Sequence, residues 1–165
     1  MKNIKYIRTM PFAFILLLVI VSLSACSFNS SISIGNYVSD VNSNVQQAVG
    51  LTREFRKIKD DLDTRSPDDA AECTDILDKL SECYANILKL EAPERYDDID
   101  KELKANAKDA LTEISGLKSL IGTSQDTGDD SLYKRDSQDI IERYEEIYSA
   151  VVDLSAQAQT RFRND

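Results

Sequence analysis

Tyr96-Asp-Asp-Ile-Asp-Lys-Glu-Leu-Lys-Ala-Asn-Ala-Lys-Asp-Ala-Leu-Thr-Glu-Ile-Ser-Gly-Leu-Lys-Ser-Leu-Ile121 decides the fold. Its apolar residues Tyr96, Ile99, Leu103, Ala107, Ala110, Ile114, Leu117 and Ile121 recur every three or four positions, and alternation of period two is absent. That is the signature of one buried helix face. Three more stretches read the same way. One carries Ile34, Val38, Val41, Val45, Ala48, Phe55, Ile58 and Leu62; the next carries Cys73, Ile76, Leu77, Leu80, Cys83, Tyr84, Ile87 and Leu90. The last carries Tyr133, Ile140, Tyr144, Ile147, Tyr148, Val151, Leu154, Ala158 and Phe162. Helices of this kind run roughly 37–48 Å.

Local chemistry marks the ends. Ser66 is placed to cap the second helix, with Pro67 at its first position and Asp68 and Asp69 in its first turn. Pro93 opens the third after the minimal turn Glu91-Ala92, and Gly122 is expected to end it in a left-handed cap. A loop from Gly122 to Gly128 then leads to Asp129 and Asp130, at the start of the fourth helix. Short connections favour antiparallel neighbours, so the expectation is an all-α, antiparallel up-down four-helix bundle over residues 34–165. The rival is an extended coiled coil completed by a second chain.

The front of the chain is of a different kind. Of the 20 Lys and Arg residues, Lys2, Lys5 and Arg8 precede residue 26, whereas all 29 Asp and Glu follow it. After the basic start comes an uncharged apolar run, residues 11–22, and then Leu23-Ser24-Ala25-Cys26. A basic segment, a short apolar run and a small-residue exit describe an export signal. The run is shorter than the roughly 20 residues of a bilayer-spanning helix. An ordinary cleaved signal followed by a stray cysteine is the plainer alternative.

Leu23, Ser24, Ala25 and Cys26 resemble the lipobox of bacterial lipoproteins at every position. The resemblance implies a signal peptide over residues 1–25, diacylglycerol on Cys26, and a tether from the lipidated Cys26 to residue 33. It also implies lipid-anchored residence on the extracytoplasmic face of the cell membrane. Two acyl chains anchor stably, at about 0.8 kcal/mol per buried CH₂. Further along, Leu88-Lys-Leu-Glu-Ala-Pro-Glu-Arg-Tyr-Asp-Asp-Ile-Asp100 resembles a turn in helical-bundle lipoproteins of Gram-positive bacteria with no assigned function. There a Pro-Glu pair opens a helix, and a His often follows where Asp100 stands.

Composition excludes several functions. With a formal net charge of −9, and all the acid beyond the signal, the body is a poor nucleic-acid binder. With no His, there is no His-activated nucleophile and no imidazole metal ligand, so a di-iron site of the Glu-x-x-His type is excluded. Cys73 and Cys83 lie about 15 Å apart along one helix, too far for a disulfide, and read as small buried hydrophobes. Asp126-Thr127-Gly128 spells an aspartic-protease triplet once, in a polar loop, and is a chance match. As an EF-hand the same loop fails, with Ser131 and Ser137 where Gly and Glu are required.

Asp60, Asp61 and Asp63 lie at the end of the first helix, where the dipole disfavours acids. With Asp68, Asp69 and Glu72, and with Asp126, Asp129 and Asp130 from the other loop, they would make an acidic tip. That tip is either a solvated face or a functional one, a weak divalent-cation site or a partner-facing end. At the opposite end, Arg161 and Arg163 are expected to face anionic headgroups. The expected function is therefore a non-enzymatic lipoprotein without a cofactor. It would be held in the membrane through Cys26 and would present a helical bundle for binding, to an envelope or surface protein, or for envelope organisation. The alternative is a sensor or small-ligand module with a pocket between helices lined by Tyr84, Tyr96, Tyr144 and Tyr148.

Overall fold

The computed structural model describes the backbone of residues 10–164 and the side chains of residues 33–164. The expected signal peptide, Cys26 and most of the tether lie outside the described side chains. The described chain is all-helical. Its elements are α1 (Met10–Ile58), α2 (Pro67–Lys89), a 3₁₀ turn (Glu94–Tyr96), α3 (Asp97–Thr127), α4 (Asp130–Asp136) and α5 (Gln138–Arg163). Among the described residues no helix is long and apolar enough to cross a membrane.

The apolar stripes become one core. α2 packs on α1 and α3, α5 packs on α3 and α1, and the short α4 lies against α3 and the start of α5. Along α1 and α5 the partners run in opposite order. Gly35 meets the Phe162 ring, Asn42 accepts from Gln159, Thr52 meets Tyr144 and Arg56 pairs with Glu145. α3 and α5 are likewise antiparallel, with Asp98 on Arg161 and Glu113 on Arg143. Every stripe residue of α3, from Ile99 to Ile121, is buried, as are Leu77, Leu80 and Ile87 on α2. Each such Leu or Ile contributes about 1.5–3 kcal/mol on leaving water. Phe162 departs from its stripe, being 43 % exposed.

The helix ends follow the expected chemistry at the starts of α2 and α4 and depart from it elsewhere. Ser66 caps α2, its hydroxyl accepting from Asp69 N at 3.3 Å, with Pro67 in the first turn. Gly122, however, does not end α3. The buried stripe continues through Ile121 to Ser124, and the helix runs on to Thr127. The left-handed residue is Gly128, with φ +68°. Its N–H bonds Gln125 O, and Asp129 N bonds Ser124 O, the two reversed bonds of a Schellman cap. Asp126 and Thr127 thus belong to the last turn of α3, not to a loop. α3 itself starts at Asp97, because the residues after Pro93 form a 3₁₀ turn first.

The third departure is in the last stretch, which is two helices rather than one. The ladder breaks at Ser137, after the poor helix formers Asp136 and Ser137. The break lets α4 turn across the end of α3 with Tyr133 buried beneath it. At the start of the residues 59–66 connection, α1 has already stopped at Ile58, so Asp60, Asp61 and Asp63 lie just past the helix rather than in its last turn.

Candidate functional site

The end of the molecule formed by residues 59–66 and α4 holds most of the candidate acids, and one of them is structural. Asp129 caps α4 by accepting from Ser131 N at 3.0 Å. That leaves the next carboxylate, Asp130, to reach across to the α1–α2 connection. Asp130 Oδ1 accepts from Thr64 N at 3.0 Å and from Thr64 Oγ1 at 2.9 Å, and Oδ2 pairs with Lys134 one turn on. Its side chain is 10 % exposed. The Lys134 ammonium, followed by the two Thr64 donors, outweighs burial and holds the carboxyl down at about 2.

The other acids are dispersed. Asp63 takes both the backbone N–H and the guanidinium of Arg65, which lower its pKa. Asp60 pairs with Lys59. Asp68, Asp69 and Glu72 are exposed along the start of α2, and Asp126 is exposed at the end of α3. Among the described residues, no three His, Cys, Asp or Glu are grouped so that they could hold a metal ion.

Beside this acidic end is a cleft of about 390 Å³ between the end of α1, α4 and the start of α5. Its walls include Lys59, Asp60, Tyr133, Lys134, Ser137 and Glu142. Tyr133 is 1 % exposed, and its hydroxyl has no hydrogen-bond partner of acceptable geometry, although Ser137 lies beside it. Burial is the main cause that raises its pKa, with neighbouring Cys73 and Asp60 adding to it. A buried unpaired hydroxyl costs about 1–3 kcal/mol.

The tyrosines expected to line a pocket pack on one another or on other rings. Tyr84, Tyr96 and Tyr144 are fully buried. Tyr144 meets Tyr84 and Phe55 edge-on, at 6.3 and 6.5 Å between ring centres, and stacks on Tyr148 at 6.4 Å. Tyr96 meets Tyr37 at 5.7 Å. The polar tips form a short chain across the core. Thr52 Oγ1 and Tyr144 Oη are 2.8 Å apart, and Tyr144 Oη and Tyr84 Oη 3.4 Å. Burial pushes the Tyr144 phenol up to about 12 and the Tyr84 phenol further, so both stay neutral donors at physiological pH. Cys73 and Cys83 are free and buried, and burial pushes the Cys73 thiol up to about 12, so it is not a reactive thiolate.

At the opposite end, Arg161 is committed within the chain. It forms a forked pair with Asp98 at 2.7 and 2.8 Å, donates to Arg95 O and lies over the Tyr96 ring at 5.5 Å. That engagement holds the Asp98 carboxyl at about 2. Arg163 borders a shallow groove with Gly35 and the exposed Phe162.

Sequence reasoning missed Thr52, Thr64 and the role of Asp130. Thr52 did carry a signal, since it stands four residues after Ala48 and three before Phe55 on the apolar stripe of α1. Thr64 and Asp130 carried none, because their pairing joins positions 66 apart. Compared with known protein families, with curated proteins and with solved structures, the chain has no match in any of the three.

Proposed function

We propose that this chain is a membrane-anchored extracytoplasmic bacterial lipoprotein without enzymatic activity. In this reading Cys26 carries the lipid, and the residues from 34 onward form an antiparallel up-down four-helix bundle, with α4 and α5 together making its last rung. The observation that carries the reading is Leu23-Ser24-Ala25-Cys26, placed directly after a basic start and a short apolar run. The antiparallel pairings of α1 and α3 with α5 support the bundle.

The geometry gives the anchor a consequence. The start of the core on α1 and the end of α5 share one end, where Gly35 meets Phe162. Residues 59–66 and α4 share the other, about 36 Å away along α1. A lipid on Cys26 therefore holds the first end near the bilayer and offers the second to the surroundings. The tip is the natural place for an envelope or surface partner. The mixed-charge cleft there favours a second reading, a small-ligand module with its site at the tip rather than among the core tyrosines.

Metabolic labelling with an alkyne-bearing fatty acid tests the anchor. The full chain expressed in a bacterium incorporates the label, and Cys26→Ser does not. Label retained in Cys26→Ser would place the lipid elsewhere and overturn the lipobox assignment.

A further inference from the structure

We infer that α4 is a hinged strap. It closes the end of the bundle formed by residues 59–66, and it swings open as a unit while α1, α2, α3 and α5 stay folded. Opening uncovers Cys73 and the end of the apolar core around it. The inference goes beyond the proposed function and is independent of the lipid anchor.

Both ends of α4 are breaks in the helical ladder. Before it stands Gly128, left-handed at φ +68°, with nothing within 4 Å of where a Cβ would be. Asp129 follows in extended backbone, at φ −105° and ψ 92°. After α4, Ser137 N bonds Tyr133 O, and the next bond is Ile141 N to Ser137 O, so the ladder passes into α5 only through Ser137. A segment joined at each end by few backbone bonds can move without unwinding its neighbours.

A helix of seven residues does not hold itself together in water, so tertiary contacts keep α4 closed, and they are few. Its buried residues are Asp130 and Tyr133, whereas Ser131, Lys134, Arg135 and Asp136 are exposed. Tyr133 is the plug. Its side chain is buried beside Cys73 of α2, which is itself fully buried. Asp130 is the latch. Its carboxylate takes the N–H and the hydroxyl of buried Thr64, 66 positions away on the connection between α1 and α2. The other polar side chains bond within the strap, Ser131 to Asp129, Lys134 to Asp130 and Arg135 to Asp136. By contrast, α3 buries its whole stripe from Ile99 to Ile121. A segment held by one ring and one carboxylate opens far more readily than such a core helix.

Thiol labelling of the full chain in detergent tests this, with iodoacetamide as the reagent and peptide mapping to read Cys73 apart from Cys26 and Cys83. A buried thiol reacts only from an open form. Cys73 is expected to label at least about tenfold faster than the global unfolding equilibrium, measured in urea, allows. Thr64→Val should speed Cys73 labelling by about another tenfold, and Asp130→Ala by more. Thr64→Val, the milder change, carries this arm by itself if Asp130→Ala does not fold. Ile87→Val is the control, since Ile87 is buried about 30 Å from the start of α2 and stays buried when the strap opens. It should lower the urea midpoint and leave Cys73 labelling unchanged. The inference is overturned if Cys73 labels no faster than global unfolding permits, or if Ile87→Val speeds it in step with the lost stability. It is equally overturned if the latch variants label like the parent.

Discussion

Asp130 accepts hydrogen bonds from both the backbone N–H and the hydroxyl of Thr64, at 3.0 and 2.9 Å, and so ties α4 to the connection between α1 and α2. Both partners are buried. Truncating Asp130 leaves two Thr64 donors unsatisfied and removes the partner of Lys134. Asp130→Ala is therefore expected to cost about 3 kcal/mol, read from the urea midpoint at unchanged m-value. Thr64→Val keeps the backbone bond and should cost about half as much.

The same carboxylate sets a pH dependence. Asp130 is held at about 2 in the folded chain, below the ordinary 3.8, and Asp98 is held equally low by Arg161. A carboxyl lowered on folding stabilises fully above its unfolded pKa and loses that contribution as pH falls through the folded one. The melting temperature should thus be level above about pH 4 and fall between about 4 and 2. Asp130→Asn should start lower and fall less steeply across that window.

Two glycines of α3 should respond to alanine with opposite signs. Gly128 has φ +68°, and a Cβ there meets nothing within 4 Å, so Gly128→Ala carries only the backbone cost, about 1–2 kcal/mol. Gly122 lies inside the helix with equally open space around it, so Gly122→Ala should stabilise by about 0.5–1 kcal/mol. Thermal melts of the two variants check both signs at once.

That pair also shows what was legible in the sequence. The stripe from Ile99 to Ile121 dictated α3, because apolar periodicity reflects one buried face directly. The Ser66-Pro67-Asp68-Asp69 start of α2 was legible because capping is local. The end of α3 was not, since Gly122 and Gly128 are equivalent as glycines and only the burial of Ser124 decides between them. The break at Ser137 had a faint signal, the gap in the stripe between Tyr133 and Ile140. The cleft was invisible, because it joins Lys59 on one side of the chain to Lys134 and Glu142 on the other. Asp130 read as one more exposed acid until the fold brought Thr64 beside it.

The hydroxyl chain in the core offers a graded test. Tyr144→Phe removes the 2.8 Å partner of buried Thr52 and should cost about 1–3 kcal/mol. Tyr84→Phe removes only a 3.4 Å contact and should cost less than about 1 kcal/mol. Thr52→Val combined with Tyr144→Phe should be less destabilising than the sum of the single changes, since the Thr52 hydroxyl that Tyr144→Phe alone would orphan is gone too. Urea unfolding of Thr52→Val, Tyr144→Phe and the double variant closes the cycle.

The central claim is that Cys26 holds this helical domain on a membrane, and fractionation tests it most directly. Membranes from cells expressing the full chain, and the Cys26→Ala variant, are washed in high salt and sedimented. The account predicts that the parent stays with the membranes through the wash, whereas Cys26→Ala is released into the soluble fraction with its helical circular dichroism intact. A Cys26→Ala protein that remains in the washed membranes would contradict it.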